Sequence, residues 1–221
     1  DLREKEKILR LAEKENIDGI ATDQTDIPIK TQAYVSEKLG LPGFDYKTAL
    51  LFTNKYLMRK KCKEIGLDIV NYRLIKNINE AKKAIEDIGC PLVIKPVDNQ
   101  GSRGVYKIRT EKEMEKYLPY TLKLSSDKTA LIEQLIEGPE LVLESLVINK
   151  KIKNLIIGDT YYFNYKNKFI PKQRLFPSNF NKEIKKKVID MDKKIIKAFG
   201  LKNRLTHSEY IMDEKNKKIY L

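Results

Sequence analysis

The chain has no tryptophan, a single histidine (His207) and only two cysteines, Cys62 and Cys90, far apart and in no Cys-x-x-Cys spacing. A disulfide framework of the kind that staples small secreted domains is therefore excluded, and so is a cysteine-rich zinc site. Cys90 precedes Pro91 at the start of an apolar stretch and reads as a small buried hydrophobe rather than a nucleophile. No apolar run approaches the ~20 residues that a membrane span needs. Asp1-Leu2-Arg3-Glu4-Lys5 is followed by no apolar core of the signal-peptide kind, so cytoplasmic residence and no membrane partner are the expectation. No internal repeat, low-complexity linker or Ser-His-Asp arrangement is evident.

What is present is charge and enough apolar residues for a core. Hydrophobic residues make up 41% of 221 and charged residues 34%, which places the chain among soluble globular proteins rather than disordered ones. The net charge of +13 raises the question of nucleic acid. The lysines, however, are spread along probable helix faces. Lys182, Lys185, Lys186, Lys187, Lys193, Lys194 and Lys197 alternate with Glu183, Asp190 and Asp192 at helical spacing. No helix-turn-helix, RRM or zinc-finger signature accompanies them, so a solvated helix face is the better reading and nucleic acid is not an expected partner.

Turn residues and periodicity divide the chain. Residues 3–15 read as an amphipathic helix and 17–22 (IDGIAT) as a short buried strand that ends in the polar turn 23–26. Pro28 opens a helix through Leu39, stopped by Gly40. A helix over 47–65 is capped by Gly66. From Leu67 a β-α-β-β-α-β order is expected: strand 69–75, helix 79–88, strands 92–95 and 105–109, helix 111–118, strand 130–135. Strands over 141–148, 153–159 and 161–170 follow as an antiparallel set, then a helix over 182–199 and strands over 205–212 and 218–221.

The richest stretch is Leu92 to Glu140. In PLVIKP, Lys95 closes an apolar strand, and Gly101-Ser102-Arg103-Gly104 follows as a glycine-rich loop. Further on, Glu133 and Glu140 flank Gln134, Leu135, Ile136 and Gly138. A fixed cation, backbone N–H groups in a flexible loop and an apolar hinge between carboxylates suit an adenine nucleotide.

With Lys55 and Arg59 upstream and THSEYI (206–211) downstream, these pieces resemble the ATP-grasp proteins, in the family's order and over roughly residues 45–221. Single pieces are weak; five in order are specific. The resemblance implies an α+β ATP-grasp fold, two lobes enclosing a nucleotide. The small lid lobe would span 67–134 and the antiparallel-sheet lobe 135–221, together the domain 46–221. Residues 1–45 resemble the end of the Rossmann-like domain that precedes such folds in carboxylate–amine ligases, the group that includes carbamoyl-phosphate-synthase-like and purine-pathway enzymes.

The implied cofactors are ATP and Mg²⁺. Lys55 and Lys95 would meet phosphates, and Asn99 to Gly104, with Gly101, Ser102 and Gly104, would form the lid over them. Glu133 would accept from the adenine amino group, Gln134 and Leu135 would offer backbone contacts, and Glu140 would bind the ribose. Glu209 would ligate Mg²⁺ through hard carboxylate oxygen. His207, two residues away on the same strand face, either lines the site or is structural. Arg174 would hold an acyl phosphate or acidic substrate, or is a surface arginine. The family's second metal-binding glutamate and its asparagine are expected just past Leu221, so the chain reads as a segment of a longer protein with half a metal site. Two functions stay open: an ATP-dependent ligase that activates a carboxylate as an acyl phosphate for attack by an amine, or a nucleotide-binding module without ligation. Small-molecule acid and amine partners are implied, and a homodimer is left open.

Overall fold

A computed structural model describes residues 1–22, 25–165 and 167–221. The chain runs α1 (Lys5–Lys14), α2 (Ile29–Leu39), α3 (Tyr46–Thr53) and α4 (Lys55–Glu64), then β1 (Tyr72–Ile75), α5 (Ile78–Ile88), β2 (Leu92–Pro96), β3 (Tyr106–Ile108), α6 (Glu111–Lys123) and β4 (Ala130–Gln134). It continues through β5 (Glu140–Ile148), β6 (Lys151–Tyr162), β7 (Pro171–Leu175), α7 (Lys182–Phe199), β8 (Arg204–Met212) and β9 (Ile219–Tyr220).

Two antiparallel sheets result. The smaller has the order β1-β4-β2-β3, the larger β7-β6-β5-β8-β9. Alternation explains how each is used. In the small sheet Leu92, Ile94, Ile108 and Ile132 pack against Ala81 and Ala84 of α5 and Met114 and Leu118 of α6. The intervening residues, Lys95 and Glu133 among them, turn to the opposite face. In the large sheet Leu141, Leu143, Tyr210 and Met212 pack on Val188, Ile195 and Phe199 of α7. Their strand neighbours Glu140, Glu144, His207 and Glu209 lie on the other face. These six charged or titratable residues thus stay off the helix-packed cores, as the cost of burying an unpaired charge favours.

Several expected elements differ. Residues 17–22 form no strand: Ile20 and Thr22 give their carbonyls to the side chains of Gln32 and Arg204, at 2.9 and 3.2 Å, in place of a strand neighbour. Half of the turn expected at 23–26 (Asp23 and Gln24) lies outside the described residues. The single helix expected over 47–65 is two, because Asn54 leaves helical geometry (φ −116°, ψ 108°) and caps α4 by accepting from the Leu57 N–H. Helix α6 runs on through Pro119 to Lys123.

No turn falls after Asp159 either. This residue is 4% exposed and accepts the Asn179 N–H at 2.9 Å, so β6 continues to Tyr162. Of the strand expected over 161–170, Tyr161 and Tyr162 belong to β6, and residues 163–165 and 167–170 are in no strand before β7 begins at Pro171. Cys90 is exposed rather than buried, since the buried part of this segment begins only at Leu92.

Candidate functional site

The break at Asn54 makes Lys55 the first residue of α4 and frees its backbone N–H, which donates to the Val97 carbonyl at 2.8 Å. Its ammonium donates to the Asn99 carbonyl at 2.5 Å. Lys55 therefore sits against the start of the glycine-rich loop. Burial, reinforced by the nearby charge of Lys95, lowers its pKa to about 8.

One turn further along α4, Arg59 meets Glu133: Nε lies 2.6 Å from Oε1 and Nη2 3.5 Å from Oε2. Lys95 pairs with the second oxygen of the same carboxylate. Register accounts for this. Val93 faces Glu133 and Lys95 faces Leu131, so Lys95 and Glu133 are diagonal neighbours on one face. Burial opposes the ionisation of Glu133, but Arg59 and Lys95 outweigh it and hold the pKa at about 2. Burial lowers the pKa of Lys95. Two cations, Arg59 and Lys95, share one carboxylate here.

The loop over this cluster has positive φ at Gly101, Ser102 and Gly104. At Gly104 a side chain is excluded twice over: φ is 75°, and a Cβ would come within 2.9 Å of Leu124 Cδ1 and 3.0 Å of Pro96 Cγ. The loop is also stitched to the preceding segment. Gln100 accepts from the Asp26 N–H and donates to the Thr25 hydroxyl, both at 2.6 Å.

At the hinge, Gln134 is exposed and Leu135 half-buried, with the Leu135 N–H given to the Pro91 carbonyl at 3.2 Å. A Cβ on Gly138 would fall 2.0 Å from the Met212 carbonyl, so the hinge passes hard against β8. Glu140 then opens β5 on the open face of the large sheet and accepts from the Tyr162 hydroxyl at 2.6 Å. Burial raises the pKa of Glu140.

The same face carries Arg174 and Glu209, 2.7 Å apart. His207 Nδ1 lies 2.6 Å from Glu144, and its Nε2 3.5 Å from Glu209. Hydrogen bonding to Glu209, and then to Glu144, raises the His207 pKa. The pKa of Glu209 is lowered, chiefly by His207 and further by Arg174.

The expected residues thus fall into two groups. Lys55, Lys95 and Glu133 form an ionic cluster beside the glycine-rich loop. Glu140, Arg174 and Glu209 share the open face of the large sheet, where Glu140 and Glu209 are close enough to influence each other's ionisation. Gln134 and Leu135 join the two. The sequence assigned no part to Glu144 or Tyr162, whose partners lie at least 22 positions away. Arg59 was quoted without a role, although its spacing of four from Lys55 puts both on one helix face.

Two α+β lobes meeting at such a hinge, with a glycine-rich loop between strands of the smaller one, are the ATP-grasp architecture. The family model described as "D-ala D-ala ligase C-terminus" matches residues 62–221, and the chain belongs to that family. The D-alanine–D-alanine ligase of Christiangramia forsetii is 31% identical over 193 residues, covering 83% of this chain and 58% of that protein. The alanine–anticapsin ligase of Bacillus subtilis is 24% identical over 226 residues, 92% of this chain and 47% of that protein. Among solved structures, the biotin carboxylase domain of the Hydrogenobacter thermophilus 2-oxoglutarate carboxylase, described with MgADP, ADP and bicarbonate, superposes with a TM-score of 0.81. It is 22% identical and covers 99% of this chain and 50% of that one, a likeness of fold. The chain spans about half the length of the curated relatives it matches. Among the described residues no helix is long and apolar enough to cross a membrane.

Proposed function

We propose that the chain supplies the nucleotide site of an ATP-dependent carboxylate–amine ligase. The observation that carries this is a set of cations beside the glycine-rich loop: Lys55 against its base, and Arg59 and Lys95 both on the one carboxylate of Glu133. Buried charge of one sign is costly unless a counter-charge completes it, and a polyphosphate held under backbone N–H groups is such a counter-charge. In this reading residues 46–221 are the ATP-grasp domain, with 67–134 as its lid lobe, and 1–45 belong to a preceding Rossmann-like domain.

Lys55 and Lys95 hold phosphate oxygens, and Gly101, Ser102 and Gly104 cover them. Gln134 and Leu135 border the adenine; Glu133, expected to accept from the adenine amino group, instead has both carboxylate oxygens taken by Arg59 and Lys95 and acts on the site through them. Glu140 takes the ribose hydroxyls. Glu209 suits Mg²⁺, since it offers a hard, ionised oxygen on the open face and the metal needs only one or two carboxylates beside phosphate. When bound, the metal would neutralise charge on the phosphates. Arg174, fixed by Glu209, is placed to steady an anionic carboxylate or acyl phosphate. The acid is activated because phosphate leaves a carbonyl far more readily than water does, and an amine then displaces it. Positioning and charge neutralisation are the whole of the protein's task in the first step.

Thermal unfolding with and without Mg-ADP tests the reading, because a ligand that binds only the native state raises the midpoint. A rise in the wild type that disappears in Lys95→Ala is expected. No rise at millimolar nucleotide would sink the proposal.

A further inference from the structure

Glu133 is 3% exposed and meets two cations, Arg59 through Oε1 and Lys95 through Oε2. A carboxylate paired with Lys95 alone would cancel its charge and hold its ammonium on β4. Arg59 is 9% exposed and belongs to a different element, α4, yet its guanidinium reaches the same carboxylate. Guanidinium stays charged in any protein environment and offers a planar fork, so it competes for the carboxylate without losing its proton.

Resting on the nucleotide reading above, we propose that Arg59 is a positioning residue for the phosphate site. By occupying Glu133 it keeps the charge of Lys95 available to a polyphosphate anion. The geometry of α4 makes this economical. Lys55 and Arg59 are one helical turn apart, so a single helix brings one cation to the base of the glycine-rich loop and another to Glu133. Glu133 in turn fixes where Lys95 sits, through their diagonal placement on β4 and β2. Arg59 therefore acts on the phosphates through two residues and touches none itself.

A merely structural buried ion pair makes a different forecast, and a double-variant cycle separates the two. Binding of ADP and of inorganic pyrophosphate to the whole chain would be measured by calorimetry for wild type, Arg59→Met, Glu133→Gln and the double variant. Titration of Lys95 would be followed by NMR after ¹³C-methylation of lysines. Arg59→Met leaves Glu133 to Lys95 alone, so the Lys95 pKa rises and both anions weaken about tenfold, one pKa unit's worth of differential charge interaction. Removing the Glu133 charge as well returns affinity toward wild type. Further damage in the double variant, or wild-type affinity in Arg59→Met, overturns the proposal. Should Arg59→Met fail to fold, Glu133→Gln alone decides: it binds pyrophosphate at least as tightly as wild type if Lys95 is thereby released, and more weakly if the triad is only structural. Wild-type protein that binds neither anion sinks the nucleotide reading and this proposal with it, whereas binding unaffected by Arg59→Met sinks the proposal alone.

Discussion

The Lys55 ammonium donates to the Asn99 carbonyl at 2.5 Å, and the Lys55 backbone N–H donates to Val97 at 2.8 Å. One residue thus clamps the start of α4 to the base of the glycine-rich loop. Its ammonium is held by a neutral carbonyl, and a phosphate oxygen would add an attraction between full opposite charges that the carbonyl dipole lacks.

The lowered pKa of Lys55, about 8, makes nucleotide binding pH-dependent. The lysine is charged below that value and loses its proton above it, so ADP affinity falls as pH rises from 7 to 9. Calorimetry at pH 8 in buffers of different ionisation enthalpy should show proton uptake on binding, absent in Lys55→Met. The same shift acts on stability. Between about pH 8 and the ordinary lysine value of 10.5 the folded chain binds fewer protons than the unfolded one, so this group's contribution rises with pH across that window.

Glycine 104 should tolerate no side chain. Gly104→Ala adds a strained positive φ to a collision with Leu124 and Pro96, whereas Gly101→Ala meets only the φ penalty because no atom lies within 4 Å of its Cβ. A loss of about 1 kcal/mol is expected for Gly101→Ala and more for Gly104→Ala, read from urea midpoints.

Asp192 is fully buried beneath the large sheet and accepts from Ser145 at 2.7 Å and Tyr210 at 2.8 Å. Asp192→Ala removes the acceptor of both hydroxyls, although Ser145 still accepts from Asn154 at 2.9 Å, and should cost about 3 kcal/mol, while Tyr210→Phe should cost about 1 kcal/mol. Denaturant unfolding distinguishes them, and equal losses would contradict the network.

Glu209 should matter only when metal is present. ADP affinity without Mg²⁺ is expected to be unchanged in Glu209→Gln, and the tightening by Mg²⁺ expected of the wild type should be lost. A variant that still tightens with Mg²⁺ would remove Glu209 from the metal site.

Much of the fold was legible because local chemistry wrote it. The β-α-β-β-α-β order of the small lobe follows from period-two apolar runs set between turn residues, and α7 stops at Gly200, which adopts the left-handed cap its lack of a Cβ allows. The expected strand over 17–22 failed because a strand exists only through a neighbour, and here side chains of Gln32 and Arg204 take those carbonyls instead. The break expected between strands 153–159 and 161–170 is absent, because Asp159 is buried and accepts the Asn179 N–H within a continuous β6.

For the site, residue types and order were enough to name Lys95, the glycine-rich loop and Glu140 as candidates, since phosphate and ribose demand particular donors or acceptors, and the family resemblance added Glu209. Which of them touch was decided by packing over long sequence distances. Arg59 and Glu133 are 74 positions apart, and Arg174 and Glu209 are 35 apart. Nothing in local propensity specifies such pairs. They form because alternation sends Lys95 and Glu133 to the face away from α5 and α6, while the break at Asn54 aims α4 at that same face. Periodicity and turn chemistry are short-range and show in the chain. The pairing of buried charges depends on which faces meet, and only the folded arrangement of the two sheets brings them together.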